Sequence, residues 1–490
     1  MKPNIEIFGL RVPSAQPAAR RGFGVVMVAS IIATSIILVA SSAPAVTENW
    51  NSYLHGPKHS SFNAGATTFT PTTAKSIVPD WTFPPSPLGN AIVASPTVSN
   101  GVVYIGANTG DFYAIDETSG AQLWQRALGF IPNQCFGQGI SSTAAVAADP
   151  SRGGQLTVYV GGGDGFLYAL RASDGVTVWS MRVVDVATGG YNWASPTVVG
   201  GHLYMGVSSD CDHPLIRGGI KDFDQASGAL LHTYWSVPAG TVGGSVWTSP
   251  ASDGTSVWAT IGNQPKTSTG LLGDCFSIVR LDVATLHRQD KWRVPGTTGT
   301  DLDWGSSPTL FEATLNGTTT TMVGAAQKNG KYYAFNANAL AAGPVWHRML
   351  GAPGDEKALM TKGLLLAAAI WDFTNKRLFV GSNETTIAGV VVPGSMRELD
   401  PATGAVIWAR PLQGFIMGSP TMSAGGVIAA GTYNTATGAM NFVYLLDASD
   451  GSVVNTIQQD ASIFAQPVFA DTHLFVATTG GVLTAYSVAP

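Results

Sequence analysis

The sequence predicts an all-β protein, an eight-bladed β-propeller of four-stranded antiparallel blades closed between its N- and C-terminal strands, on three observations. Of 490 residues only 12% are charged and 45% are apolar, and 58 are glycine, where average usage would give about 34. A unit of roughly 50 residues recurs along the chain, eight times in all. One outer strand stands without an owner before the first copy, and the last copy lacks one.

The elements follow in order. Residues 22–47 are uncharged and follow Lys2, Arg11, Arg20 and Arg21, the pattern of an export signal. Small residues at Ala43 and Ala45 make cleavage before Val46 the simplest reading; uncut, a run of about 20 apolar residues is long enough to anchor the chain in a membrane. The expected division is 1–45 signal peptide or signal anchor and 46–490 propeller, with the body outside the cytoplasm. Arg20-Arg21 leaves general and twin-arginine export both open. Residues 1–45 hold four basic side chains and one acidic one, so the remainder carries 22 basic against 30 acidic, a charge of −8. That acidity argues against nucleic acid as a partner.

The first copy runs from Ser95-Pro96-Thr97 through VVYIGA and DFYAID to Trp124, and the second through VYVGG and FLYALR to Trp179. The third starts at Ser195-Pro196-Thr197, the fourth at Ser249-Pro250, and the fifth at Ser307-Pro308-Thr309. The sixth reaches Trp408, the seventh starts at Ser419-Pro420-Thr421, and the eighth, after Pro467, ends on LTAYSV. Each reads as short strands broken by a Thr/Ser/Asp-Gly turn, the last strand closing on Trp, which is the pattern of a propeller blade. Residues 78–83 around Trp81 are expected to complete the blade of residues 467–488 and so remove the open edges of a linear array. Trp81, Trp124, Trp179, Trp235, Trp292, Trp346 and Trp408 are read as inter-blade packing, with Val454 at the eighth place.

Three cysteines, Cys135, Cys211 and Cys275, lie far apart with no C-x-x-C, which excludes zinc-knuckle and haem-attachment spacings. A bridge between Cys211 and Cys275 is plausible, with Cys135 as the rival partner. His55 and His59 lack a third ligand nearby, and no P-loop, dinucleotide fingerprint or G-x-S-x-G is present.

The combination of Y-A-L/I-D, Thr/Ser-Gly and Trp resembles the tryptophan-docking repeat of pyrroloquinoline-quinone (PQQ) type eight-bladed propellers, over about residues 78–490. Four stretches outside the repeat, in the family's order, resemble the cofactor site of quinoprotein alcohol dehydrogenases and most of all polyvinyl alcohol dehydrogenases. Gly243-Gly244-Ser245-Val246-Trp247 is similar to the segment whose tryptophan underlies the quinone. Gly262-Asn263 is similar to the pair that gives an asparagine to Ca²⁺. Thr300-Asp301-Leu302-Asp303-Trp304-Gly305 resembles the stretch with the catalytic aspartate, and Gln327-Lys328-Asn329-Gly330 the motif whose cation reaches the quinone carbonyls.

The resemblance implies PQQ and Ca²⁺ as cofactors, Asp303 and Lys328 as catalytic, and Trp247, Lys328 and Asn263 as cofactor-binding. It also implies Asp210, Asn263 and Asp303 as metal ligands, with Asp212 a close rival of Asp210. These residue types suit the chemistry: a hard cation takes oxygen ligands, alcohol oxidation takes a base, and a flat indole gives stacking area. The expected function is an extracytoplasmic oxidation of a secondary or polymeric alcohol such as polyvinyl alcohol, with a separate electron acceptor such as a cytochrome c. Neutral residues stand at Asn90–Ala94 and Asn133–Gly139, where the family has a glutamate and an arginine. A cofactor-free propeller that binds protein or polysaccharide is therefore the alternative. Membrane association is expected only if the N-terminal segment is uncut.

Overall fold

Within each repeat the side-chain burial falls from the axis outwards. In blade 1 the inner strand Thr97–Ser99 is wholly buried, Asp111–Asp116 is buried through its middle, and the outer strand Gln122–Ala127 buries Trp124 alone. A computed structural model of the protein describes residues 49–84, 88–132, 138–296, 301–354 and 361–489, so the segment expected to be a signal lies outside the described residues. Eight antiparallel sheets of this kind succeed one another around an axis, with almost no helix.

The ring closes as the orphan strands required. Ile77–Phe83 pairs antiparallel with Leu483–Val488, with Trp81 opposite Ala485, so one blade contains strands from both ends of the described chain.

The recurring Ser-Pro-Thr has a structural cause. Around the axis a backbone N–H of one blade donates to the hydroxyl of the next: Gln466 to Ser95, Ser95 to Thr143, Thr143 to Ser195, Ser195 to Ser249 and Ser249 to Ser307, all at 2.9–3.0 Å. Ala368 donates to Ser419 in the same way at 3.0 Å. The threonine two residues on reaches forward, as Thr97 Oγ1 donates to Ala144 O and Thr197 Oγ1 to Pro250 O. These buried backbone groups would otherwise be unsatisfied where neighbouring blades meet, at a cost of about 1–3 kcal/mol each.

Farther out the tryptophans join blades. The indole N–H of Trp81, Trp124, Trp346 and Trp408 donates to a carbonyl of the following blade at 2.8–3.1 Å. The turn glycine of that blade lies under the ring: Gly120 has φ +69, and a methyl group there would stand 2.7 Å from Trp81. Trp235 corrects the expectation that all seven pack between blades. The turn it should meet carries Leu286 in place of glycine, and Trp235 is 38% exposed, with the Arg217 guanidinium 4.5 Å over its ring.

Residues 50–63 have no repeat signature and form an axial plug. They circle the axis and hydrogen-bond to the inner strands of seven blades. Trp50 pairs with Val98, Asn51 O accepts from Val146, Pro57 O from Ser252 and Lys58 O from Leu310; Ser60 O and Ser61 O serve Trp371 and Met422, and Asn63 Nδ2 donates to Phe469 O. Val198 of blade 3, at the equivalent position, instead lines a cavity of about 250 Å³ beneath the plug. His55 and His59 belong to this plug; His59 Nδ1 donates to Pro308 O at 2.8 Å.

Cysteine pairing differs from the first expectation. Cys275 is a free, buried thiol while Cys211 is disulfide-bonded, so there is no Cys211–Cys275 bridge. The rival Cys135 lies outside the described residues.

Candidate functional site

The repeat itself sets which side chains face the axis. In extended backbone every second residue points the same way, so the residues two places before each axial hydroxyl are directed into the channel above the plug. The residues two places before line one cavity of about 540 Å³ in every blade, and Tyr53 of the plug lies at its floor beside Ser419 Oγ. In blade 5, counting back from Ser307, this places Gly305, Asp303 and Asp301 in succession; in blade 4, counting back from Ser249, it places Trp247.

Backbone pairing fixes these groups. Lys328 follows strand Thr318–Gln327 and its N–H donates to Asp303 O at 3.0 Å, locking blade 5's acid and base side by side. Asn263 follows strand Ser256–Thr260, and its carbonyl accepts from Gly244 N–H, next to the Trp247 segment. Gly262 is required here, since a Cβ would stand 2.8 Å from Ser245 O and 3.2 Å from Asp303 Oδ2.

The polar side chains form one network. Lys328 Nζ lies 2.7 Å from both Asp301 Oδ1 and Asp303 Oδ1, and 5.2 Å from the centre of the Trp247 ring. Trp247 Nε1 donates to Asp303 Oδ2 at 2.9 Å. Asn263 Nδ2 donates to Asp301 Oδ1 at 2.8 Å and to Asp212 Oδ2 at 2.9 Å, while Asn263 Oδ1 is buried without a hydrogen-bond partner.

Burial and crowding set the charges. Burial pushes the Asp303 carboxyl up to about 7; the Lys328 ammonium opposes this, and the carboxylates of Asp301 and Asp212 add to it. Burial acts against the Lys328 ammonium, but Asp303 and Asp301 more than offset it and hold the amine protonated. Burial also pushes Asp301 up, and Lys328 and Asn263 together bring it below the usual carboxylate range.

Trp247, Asn263, Asp303 and Lys328, selected from the sequence, thus line a single cavity. Asp210 does not join them. Its backbone N–H donates to Gly189 O and its Oδ1 accepts from Gln138 Nε2 at 3.3 Å, away from the cavity wall. Cys211 and Asp212 adopt φ +47 and +60, a left-handed turn that brings Asp212 to Asn263 instead. Asp301 was passed over as an acid, although its spacing of two from Asp303 is the signal that places both on one face. Trp193 and Tyr53 were also missed; Trp193 holds in blade 3 the position that Trp247 holds in blade 4.

The donors suit a hard cation, being amide and carboxylate oxygens. Among the described residues no three His, Cys, Asp or Glu side chains form a metal cage by themselves. A cation would therefore draw on the free Asn263 Oδ1, one or two carboxylates and oxygens of its companion ligand.

The family model that matches the chain is described as outer membrane protein assembly factor BamB, over residues 81–206 and 393–489. The chain is similar to quinohemoprotein alcohol dehydrogenase ADH IIB of Pseudomonas putida, 25% identical over 284 residues, covering 50% of this chain and 39% of that protein. It is similar to lupanine 17-hydroxylase [cytochrome c] of a Pseudomonas species, 24% identical over 334 residues, covering 60% of this chain and 47% of the other. The match thus spans less than half the length of these curated relatives. Among solved structures, a europium-containing methanol dehydrogenase has the same fold, with a TM-score of 0.72 at 15% identity, over 90% of this chain and 98% of that one.

Proposed function

We propose, on the premise that the chain is a PQQ-type, alcohol-dehydrogenase-like propeller, that it oxidises an alcohol in its axial cavity outside the cytoplasm, using PQQ and Ca²⁺. The observation that carries this reading is the orphaned Asn263 Oδ1, buried in a cavity where carboxylates, one ammonium and an indole face converge. Asn263, with Asp212 and Asp303, would hold the cation; Lys328 and Trp247 would hold the quinone.

When bound, the quinone supplies the two-electron acceptor and the cation polarises it. The residues of this chain do the rest. Asp303, which in the cation-free chain ionises above about pH 7, takes the hydroxyl proton of a secondary alcohol. Trp247 Nε1–H fixes one oxygen of that carboxylate and Lys328 the other, so the base is aimed before substrate arrives. The indole ring offers a flat surface without competing donors. The electrons leave to a separate carrier such as a cytochrome c.

In protein reconstituted with PQQ and Ca²⁺, dye reduction with alcohols is expected, and Asp303→Asn should lower it about 10³-fold while leaving quinone binding in place. Equal turnover in Asp303→Asn would remove the base from this position. One observation favours a cofactor-free binding scaffold: Lys328 is already neutralised by two carboxylates. Absence of any quinone binding would select that reading.

A further inference from the structure

The axial ring is unequal on its two sides. In blades 2–5 the positions two before the belt are Ser141, Trp193, Trp247 and Gly305, and the charged side chains of the cavity, Asp212, Asp301, Asp303 and Lys328, come from blades 3 and 5. In blades 6, 7, 8 and 1, which are contiguous, the same positions are Leu366, Met417, Phe464 and Val93. Leu364, Phe415 and Met417 form a buried apolar cluster with Leu366, Tyr433 and Phe464 packed on it, and the Phe464 and Tyr433 rings meet edge-on at 5.9 Å. Four adjacent wall positions therefore carry no group able to pair with a hydroxyl.

The base stands at the seam. A Cβ on Gly305 would lie 2.8 Å from Leu366 Cδ2, so the leucine side chain occupies the space beside a residue only two places from Asp303. An alcohol whose hydroxyl meets Asp303 sets its carbon chain against Leu366 and onward to Met417 and Phe464.

We propose that the blade 6-to-1 half of the cavity is a subsite for the hydrocarbon chain of an unbranched, singly hydroxylated alcohol. Further hydroxyls, as in glycols, sugars or polyvinyl alcohol, would be desolvated against these four apolar side chains, with hydroxyls only deeper at Ser95, Ser419 and Tyr53, which costs affinity. The chemistry at Asp303 rests on the dehydrogenase reading; the apolar binding does not.

Two measurements separate them. Binding of 2-alkanols from 2-butanol to 2-decanol to the protein without quinone is followed by displacement of a fluorescent apolar probe. Affinity is expected to rise about fourfold per methylene until the half-cavity is full, and matched diols should bind at least tenfold more weakly. Leu366→Asn should flatten that slope, and the near-isosteric Val93→Thr, which keeps the fold, should lower it. In reconstituted enzyme KM should fall along the same series with kcat little changed. A flat affinity series in the wild-type chain, or an unaltered slope in both variants, overturns the subsite. Turnover with a flat series sinks the subsite alone; a rising series without turnover by any alcohol supports the subsite and sinks the dehydrogenase reading.

Discussion

His59 shows how strongly the axis punishes charge. It is 1% exposed and donates to the Pro308 carbonyl, and burial lowers its pKa from 6.5 to about 4 despite that hydrogen bond. The unfolded chain therefore binds a proton between those values that the folded chain refuses. Its stabilising effect is complete above about pH 6.5 and is lost as pH falls towards 4, by up to about 3 kcal/mol. Urea unfolding at pH 7 and pH 4.5 checks this: His59→Gln, which keeps a donor for Pro308, should lose measurably less stability on acidification than the parent. Asp303 obeys the same rule in another form, since in the cation-free chain it keeps its proton up to about pH 7. Individual site residues were legible where a motif carries them: Trp247 and Asp303 came from the stretches that resemble the quinoprotein site, and both stand at even places before an axial hydroxyl and line the cavity. Asp212 was not legible as the partner of Asn263, because two successive left-handed residues invert which aspartate of GVSSDCDHP reaches the cavity.

At the scale of the element, the turn glycine and the preceding blade's tryptophan form one device. Gly120→Ala adds a methyl group 2.7 Å from Trp81 at φ +69, so it meets both steric and backbone strain. It should lower stability by more than about 1 kcal/mol, whereas Gly254→Ala, at φ +88 with only a 3.9 Å contact, isolates the backbone share. Thermal melts of the two variants give the difference. This device was readable because it repeats; the exception at Trp235 follows from the one turn with Leu286. The plug of residues 50–63 could not be read that way. It is built from backbone hydrogen bonds to six blades, the Asn63 side chain on a seventh, and residues such as Leu54, His55 and His59 at positive φ, and none of these leaves a periodic trace.

For the whole molecule, hydroxyls of successive blades join the ring into one belt, and the closing strand ties its ends. Two blades depart from it, with Ala368 in blade 6 and Gln466 in blade 8 where the others offer a hydroxyl. Ala368→Ser should give Ser307 N–H an acceptor and raise stability by about 1 kcal/mol, read as a shift in the urea midpoint at unchanged slope. The architecture was legible almost completely, because a fold made of eight equivalent units repeats every requirement eight times. The site was legible only in part, because it arises where individual blades depart from the repeat. The central claim is that these departures hold a quinone with its cation, and the direct measurement is thermal unfolding of the purified chain with PQQ, in Ca²⁺ and in chelator. A melting temperature that rises with PQQ in Ca²⁺, and that loses its Ca²⁺ dependence in Asn263→Ala, is the expected result. No shift at saturating PQQ and Ca²⁺ would contradict it.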